Sequence, residues 1–271
     1  MSFLIVSGAS LVILVIAHAI TFLIGRRLGR YNVVDVTWGL GFVAVAAVCA
    51  AVGTGDGFRR ALVLVLVAVW GLRLAWHMVG KQSQHSSQAQ SSGETGEDPR
   101  YRALLNDDFT ARNVIRRIFG VQAAAGWFVS LPLQVSSVLG PTPPALIPVL
   151  CVGVTLWLTG VIFEAVGDYQ LRRFKADPAH RGAIMDRGLW AWTRHPNYFG
   201  DSCVWWGLWL VTLVGWVSLL TVASPALMTY FLVYATGARL TEKQMAGRPG
   251  FSEYRSRTAF FIPSPPKSRL T

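Results

Sequence analysis

Apolar positions in this chain fall into long runs, not into the alternation of a half-buried strand or the narrow stripe of a surface helix. Phe3–Ile24, Val33–Val52 and Arg59–Gly80 are each long enough to predict a helix that crosses a bilayer. A hydrophilic stretch, 81–119, then interrupts the pattern. Its Gln/Ser-rich part predicts a surface loop, partly disordered over 82–98. Apolar runs resume at Val121–Leu139, where Pro132 predicts a kink, and at Ala145–Phe174, Pro196–Leu213 and Pro225–Gly237. Gly215–Ser224 reads as a chargeless turn. The expected fold class is all-α: a polytopic membrane helix bundle of about seven transmembrane helices, forming a single integral membrane domain over 1–271.

Composition supports that reading. Of the residues 52% are hydrophobic and the mean hydropathy is +0.42, too apolar for a soluble domain. A net charge of +11 could suggest nucleic acid, but its distribution points to membrane lipids instead. Of the 25 Lys and Arg residues, all except Arg59, Arg60 and Arg73 lie in the loops after the first, third and fifth helices, in the last turn of the fifth where it enters its loop, or in the tail. The positive-inside rule then sets the N-terminus outside and the 81–119 loop and the C-terminus in the cytoplasm. No metal-ligand spacing occurs, and Cys49, Cys151 and Cys203 read as buried free thiols. The first apolar run lacks a basic n-region and a cleavage site, so it is kept as a helix. Nothing in the pattern speaks to oligomeric state.

Polar residues next to apolar spans are costly and mark candidate chemistry. Asp35 stands at the head of the second helix, where it is either a functional carboxyl or a helix cap. Arg73 and His77 share a face of the third. Glu164, Asp168, Arg172 and Lys175 recur at spacings that place them in one stripe roughly 80° wide, read as a polar pocket wall in preference to a solvated row of ion pairs. Gly153, Gly160 and Gly167, seven apart, predict a helix-packing seam. Arg194-His195-Pro196-Asn197-Tyr198-Phe199-Gly200-Asp201 follows a cationic loop and opens a helix, with Pro196 suited to its first position. The free amides of such a helix start make an anion site, with Arg194 and His195 at its mouth and Asn197 and Asp201 on one face. All these clusters fall on one predicted side, so a polar cavity open to the cytoplasm is expected. No GxGxxG follows a predicted strand and no GxxxxGK[ST] occurs, so any nucleotide would be held between membrane helices.

These motifs resemble the membrane reductase superfamily, and more narrowly its bacterial branch related to steroid 5-alpha-reductases. The residues that carry the resemblance are Glu164-Ala-Val-Gly-Asp168-Tyr-Gln, Phe174-Lys175, Arg187-Gly-Leu-Trp190, Arg194–Asp201, and Glu242, Tyr254 and Phe261-Ile-Pro263 in the tail. Trp38-Gly-Leu-Gly-Phe42 and Glu97-Asp-Pro-Arg-Tyr101 also look like that branch. The similarity is strongest over 156–263, the part expected to hold the cofactor site. It implies seven helices, NADPH as cofactor, and reduction of a carbon–carbon double bond conjugated to a ketone in a steroid-like or other lipid substrate. It makes Asp168, Arg172 and Lys175 nucleotide-binding positions and gives the nicotinamide end to Asn197 and Asp201. Glu164, Arg194, His195, Tyr198, Glu242, Tyr254 and Arg257 complete the expected cofactor set. Asp201 stands where the family often has Glu, and Glu242 where it often has a basic or aromatic residue. Asp35 and Tyr101, the latter in a predicted loop, are the nearest chemical equivalents of the family's catalytic Glu and Tyr.

Enone reduction needs a hydride at the β-carbon, a hydrogen-bond donor at the carbonyl oxygen and a proton at the α-carbon. A Tyr, or a carboxyl kept protonated by an apolar site, can supply the donor. Two alternatives stand beside this. Isoprenylcysteine carboxyl and phospholipid methyltransferases share Arg-His-Pro-x-Tyr-x-Gly with a C-terminal Glu and bind S-adenosylmethionine. A non-catalytic lipid-binding membrane protein is the third class.

Overall fold

The computed structural model describes residues 2–92, 97–235 and 237–267, with side chains for all of these except 84–92, 99 and 100. Three long helices come first: α1 (Ser2–Leu28), α2 (Val34–Val52) and α3 (Gly57–Ser92). Short pieces follow: α4 (Pro99–Leu105), α5 (Ala111–Val114), a π turn (Ile115–Phe119), α6 (Gly120–Val129) and α7 (Leu131–Ser136). Then come α8 (Ile147–Ala176), α9 (Leu189–Trp192), α10 (Pro196–Val211), α11 (Trp216–Leu219) and α12 (Ala223–Tyr230). A second π turn (Phe231–Ala235), α13 (Ala238–Met245) and α14 (Phe251–Arg257) close the chain. The described residues are all-α, and the protein is a membrane protein by the length and hydropathy of its helices.

Several boundaries differ from the pattern. Among the described residues, five helical runs are long and apolar enough to cross a membrane: Ser2–Leu28, Val34–Val52, Gly57–Ser83, Pro144–Ala176 and Trp216–Met245. The expected helix over 121–139 is broken at Ser130, because Pro132 sits in the first turn of a new helix instead of kinking an old one. The expected span from Pro196 has only 16 residues, about 24 Å at 1.5 Å per residue, short of a hydrocarbon core of about 30 Å. The expected turn over 215–224 is helical from Trp216 onward. The segment expected to be disordered over 82–98 is helical to Ser92, while 93–96 lie outside the described residues. Cys49 and Cys203 are buried as expected, but Cys151 is exposed on α8.

The chain divides into two compact units. The first comprises 1–144 and 212–221. In it α2 and α3 pack through Gly39 and Gly71: a Cβ on Gly39 would lie 2.6 Å from the Gly71 carbonyl, so only glycine admits the approach. The two cations that break the charge asymmetry are structural here. Arg59, fully buried, donates to the carbonyls of Ser136, Leu139 and Gly140 at 2.7–2.9 Å, closing the end of α7. Arg60 donates to the Ala50 carbonyl at 2.6 Å in the last turn of α2. Cations at helix C-termini meet orphan carbonyls and the negative end of the helix dipole.

The second unit comprises 145–211 and 222–271. Its frame is the α8–α10 pair. The predicted glycine seam on α8 meets a matching one on α10, antiparallel: Gly153 faces Gly207, Gly160 faces Gly200, and Gly167 faces Pro196. A Cβ on Gly160 would stand 2.4 Å from the Gly200 carbonyl.

Candidate active site

The antiparallel seam decides which polar residues meet. With Gly167 against Pro196, the next position on α8, Asp168, reaches Asn197, whose Nδ2 donates to Asp168 Oδ1 at 2.6 Å. One turn back on α8, Glu164 lies against Gly200. Glu164 is 3% exposed and Asp168 8%, so these carboxyls are buried between helices and are not a solvated ion-pair row. The same stripe changes character further along, where Arg172 and Lys175 are exposed. Asp201 is half-buried, one turn from Asn197 on α10. The arrangement is thus a buried carboxyl–amide cluster with an exposed cationic end.

The helix mouth is tied into the tail. Glu242 Oε1 accepts from Arg194 Nε at 2.6 Å and lies 3.3 Å from His195 Nε2. Arg194 Nη1 also donates to the carbonyls of Thr258, at 2.5 Å, and Arg255, at 3.0 Å. Backbone pairing reinforces the junction, with Arg194 N–H donating to the Ala259 carbonyl at 2.9 Å. Tyr254 donates its hydroxyl proton to the Trp190 carbonyl at 2.7 Å, and Arg257 pairs with Asp186. Burial pushes the Tyr254 phenol above its ordinary range. His195 stacks on Tyr198 with ring centroids 5.6 Å apart. Burial also lowers His195 to about 4 despite the neighbouring Glu242 carboxylate, so the ring is neutral at pH 7. Its Nε2 then carries the proton, since a carboxylate only accepts. Arg194, Glu242, Tyr254 and Arg257, expected around a cofactor, are therefore engaged with protein groups as a frame holding the start of α10.

In the first unit, Tyr101 is buried in α4, not in a loop, and its hydroxyl donates to Asp35 Oδ1 at 2.5 Å. Gln122 Nε2 stands 3.4 Å from the same hydroxyl. Asp35 lies in the first turn of α2, whose N-cap, Val33, has no side-chain cap. The amides before the helix are met instead by Glu97, which accepts from Tyr31 at 2.5 Å and Asn32 at 3.1 Å. Burial raises the Glu97 carboxyl above the usual range, against the pull of those amides. Sequence reasoning quoted Glu97 only as part of a motif; its role depends on contacts with residues more than sixty positions away. Gln122, inside an apolar run, is the other residue it passed over.

A family model described as "Protein of unknown function (DUF1295)" matches residues 21–258. No curated protein and no solved structure matches the chain.

Proposed function

The chain belongs to the DUF1295 family over most of its length, and from its resemblance to steroid 5-alpha-reductases and the groups paired within each of its units we propose that it is a membrane-embedded, NADPH-dependent reductase. Its substrate would be an enone: a carbon–carbon double bond conjugated to a ketone in a steroid-like or other lipid. The Tyr101–Asp35 hydrogen bond carries this reading. A phenol against a carboxyl beside membrane helices, holding two protons between them, would keep one in their mutual contact and offer the other to a polarised carbonyl oxygen. The resemblance to steroid 5-alpha-reductases motivated both residues from residue type alone, and their direct contact supports the pairing.

The residues of the second unit fit the cofactor. Asn197 donates to Asp168 while its side-chain oxygen accepts no hydrogen bond among the described residues, which leaves an acceptor for a carboxamide. Asp201 shares its face, and the exposed Arg172 and Lys175 suit phosphates. NADPH would supply the hydride when bound. Within the second unit, Asn197 and Asp168 would orient the nicotinamide end and the neutral His195 would hold Tyr198 in place. The charge asymmetry further supports seven crossings, with α6–α7 together and α10 counted as spans and the polar ends in the cytoplasm.

Thermal unfolding of the detergent-solubilised protein tests the cofactor. At a hundredfold excess over Kd, NADPH should stabilise by about 2.7 kcal/mol and S-adenosylmethionine should not. The reverse would assign the methyltransferase chemistry, for which the Arg194–Glu242–His195 cluster is the shared feature. No shift with either would leave the non-catalytic lipid-binding reading.

A further inference from the structure

A groove of about 580 Å³ lies in the second unit, between the last turns of α8 and the loop over 177–188. Tyr169, Arg173, Phe174, Asp177, His180 and Arg187 line it. At about 100° per residue, Tyr169 and Arg173 lie on the side of α8 away from the Glu164–Lys175 stripe, so the groove is separate from the candidate active site. Its walls are held in place. Phe174 stacks on His180 with centroids 4.2 Å apart. Asp177 accepts from the Ala179 amide at 2.9 Å and lies 3.5 Å from His180 Nδ1. Gln170 Oε1 accepts from the Leu189 amide at 3.0 Å, joining the loop to the helix.

With Asp177 so engaged, the groove is positive. Among the described residues neither the Arg173 nor the Arg187 guanidinium meets a hydrogen-bond or ion-pair partner in the protein. The groove also continues an apolar ridge. Leu158, Ile162, Val166 and Tyr169 are exposed along α8, each three or four residues after the last, and Arg173 is the next position on the same line. On a helix long enough to cross a membrane, such a ridge lies against acyl chains. A soluble anion would use the guanidinium groups alone, whereas an amphiphile would use the ridge and the guanidinium groups together.

We propose that this groove holds the phosphate headgroup of an anionic phospholipid whose acyl chains lie along the Leu158–Tyr169 ridge. The site does not depend on the reductase reading and is tested without turnover. The full chain, purified in a neutral detergent, is titrated with dioleoyl phosphatidylglycerol, dioleoyl phosphatidylcholine or glycerol phosphate, and binding is read by native mass spectrometry and thermal unfolding. Phosphatidylglycerol should bind at least tenfold more tightly than phosphatidylcholine, because two cations meet a net negative headgroup. R173Q/R187Q should abolish that preference, each single variant should reduce it, and R181Q, at an exposed cation outside the groove, should keep it. The single variants carry the result should the double variant fail to fold. Equal binding of the two lipids, an unchanged preference in the R173Q and R187Q variants, or protection by glycerol phosphate matching that of phosphatidylglycerol would each overturn the proposal.

Discussion

At the scale of single residues, geometry separates groups whose contacts hold helix ends from groups paired in a candidate site. The N-cap of α2 is Val33, with no side-chain cap, Glu97 meets the preceding amides, and Asp35 meets Tyr101. If the pair stabilises a substrate carbonyl, D35L and Y101F should each lower turnover by about 10²–10³, with D35N intermediate. NADPH-dependent stabilisation should stay near wild type in all three. Turnover per folded molecule at the wild-type level in D35L would remove Asp35 from the reaction. His195 gives a second prediction. Its proton affinity falls from the ordinary 6.5 to about 4 on folding. Between those values the unfolded chain takes up a proton that the folded chain refuses, so stability is full above pH 6.5 and is lost as pH falls toward 4. The loss is about 3 kcal/mol, at about 1.4 per unit. Glu97 works in the opposite sense: its raised carboxyl favours the folded state at low pH and ceases to as pH rises through its folded value. Comparing Tm against pH in wild type and H195Q isolates the histidine: the acid-side fall should flatten in the variant, and an identical slope would show that His195 does not titrate this way.

At the scale of helices, the α8–α10 pair shows how far local pattern reaches. Glycines seven apart on α8 were legible as a seam, and so was the common face of Glu164 and Asp168. The seam partner was not, because the match with Gly200 and Gly207 depends on antiparallel register, which no local spacing encodes. Register is also what sets Asp168 on Asn197. G160A should therefore destabilise the protein by about 1–3 kcal/mol, since its Cβ meets the Gly200 carbonyl at 2.4 Å, where backbone must move. G8A, in α1 with nothing within 4 Å of the added Cβ, should instead stabilise by about 0.5–1 kcal/mol through its higher helix propensity. Thermal unfolding of the two variants against wild type checks both signs.

At the scale of the whole molecule, the number of crossings is a question of charge as well as length. Among the described residues, five runs have spanning length. Five crossings from an external N-terminus would set Arg181, Arg187 and Arg194 outside and Pro141–Pro144 in the cytoplasm, whereas seven would reverse both. The positive-inside rule favours the latter. A reporter inserted at Pro141–Pro144 should read external, and one after Thr271 cytoplasmic. A cytoplasmic signal at the proline loop would leave five crossings, with the second unit's basic loop outside.

What the amino-acid sequence determined by itself is what depends on near neighbours. Helical class, apolar spans and the glycine seam all follow from residues within a turn or two of one another. So did the choice of Asp35 and Tyr101 as chemical candidates, which needed only residue type, environment and resemblance. The tertiary structure decided what depends on partners distant in the chain. It turned Arg194 toward Glu242 and tail carbonyls, gave Arg59 and Arg60 to helix ends, and ended a helix at Ser130 where apolarity alone would have continued it. The physical reason is the same in each case. A buried polar group must find its hydrogen-bonding partner wherever the fold brings one within about 3 Å, and hydropathy along the chain carries no information about which group that will be.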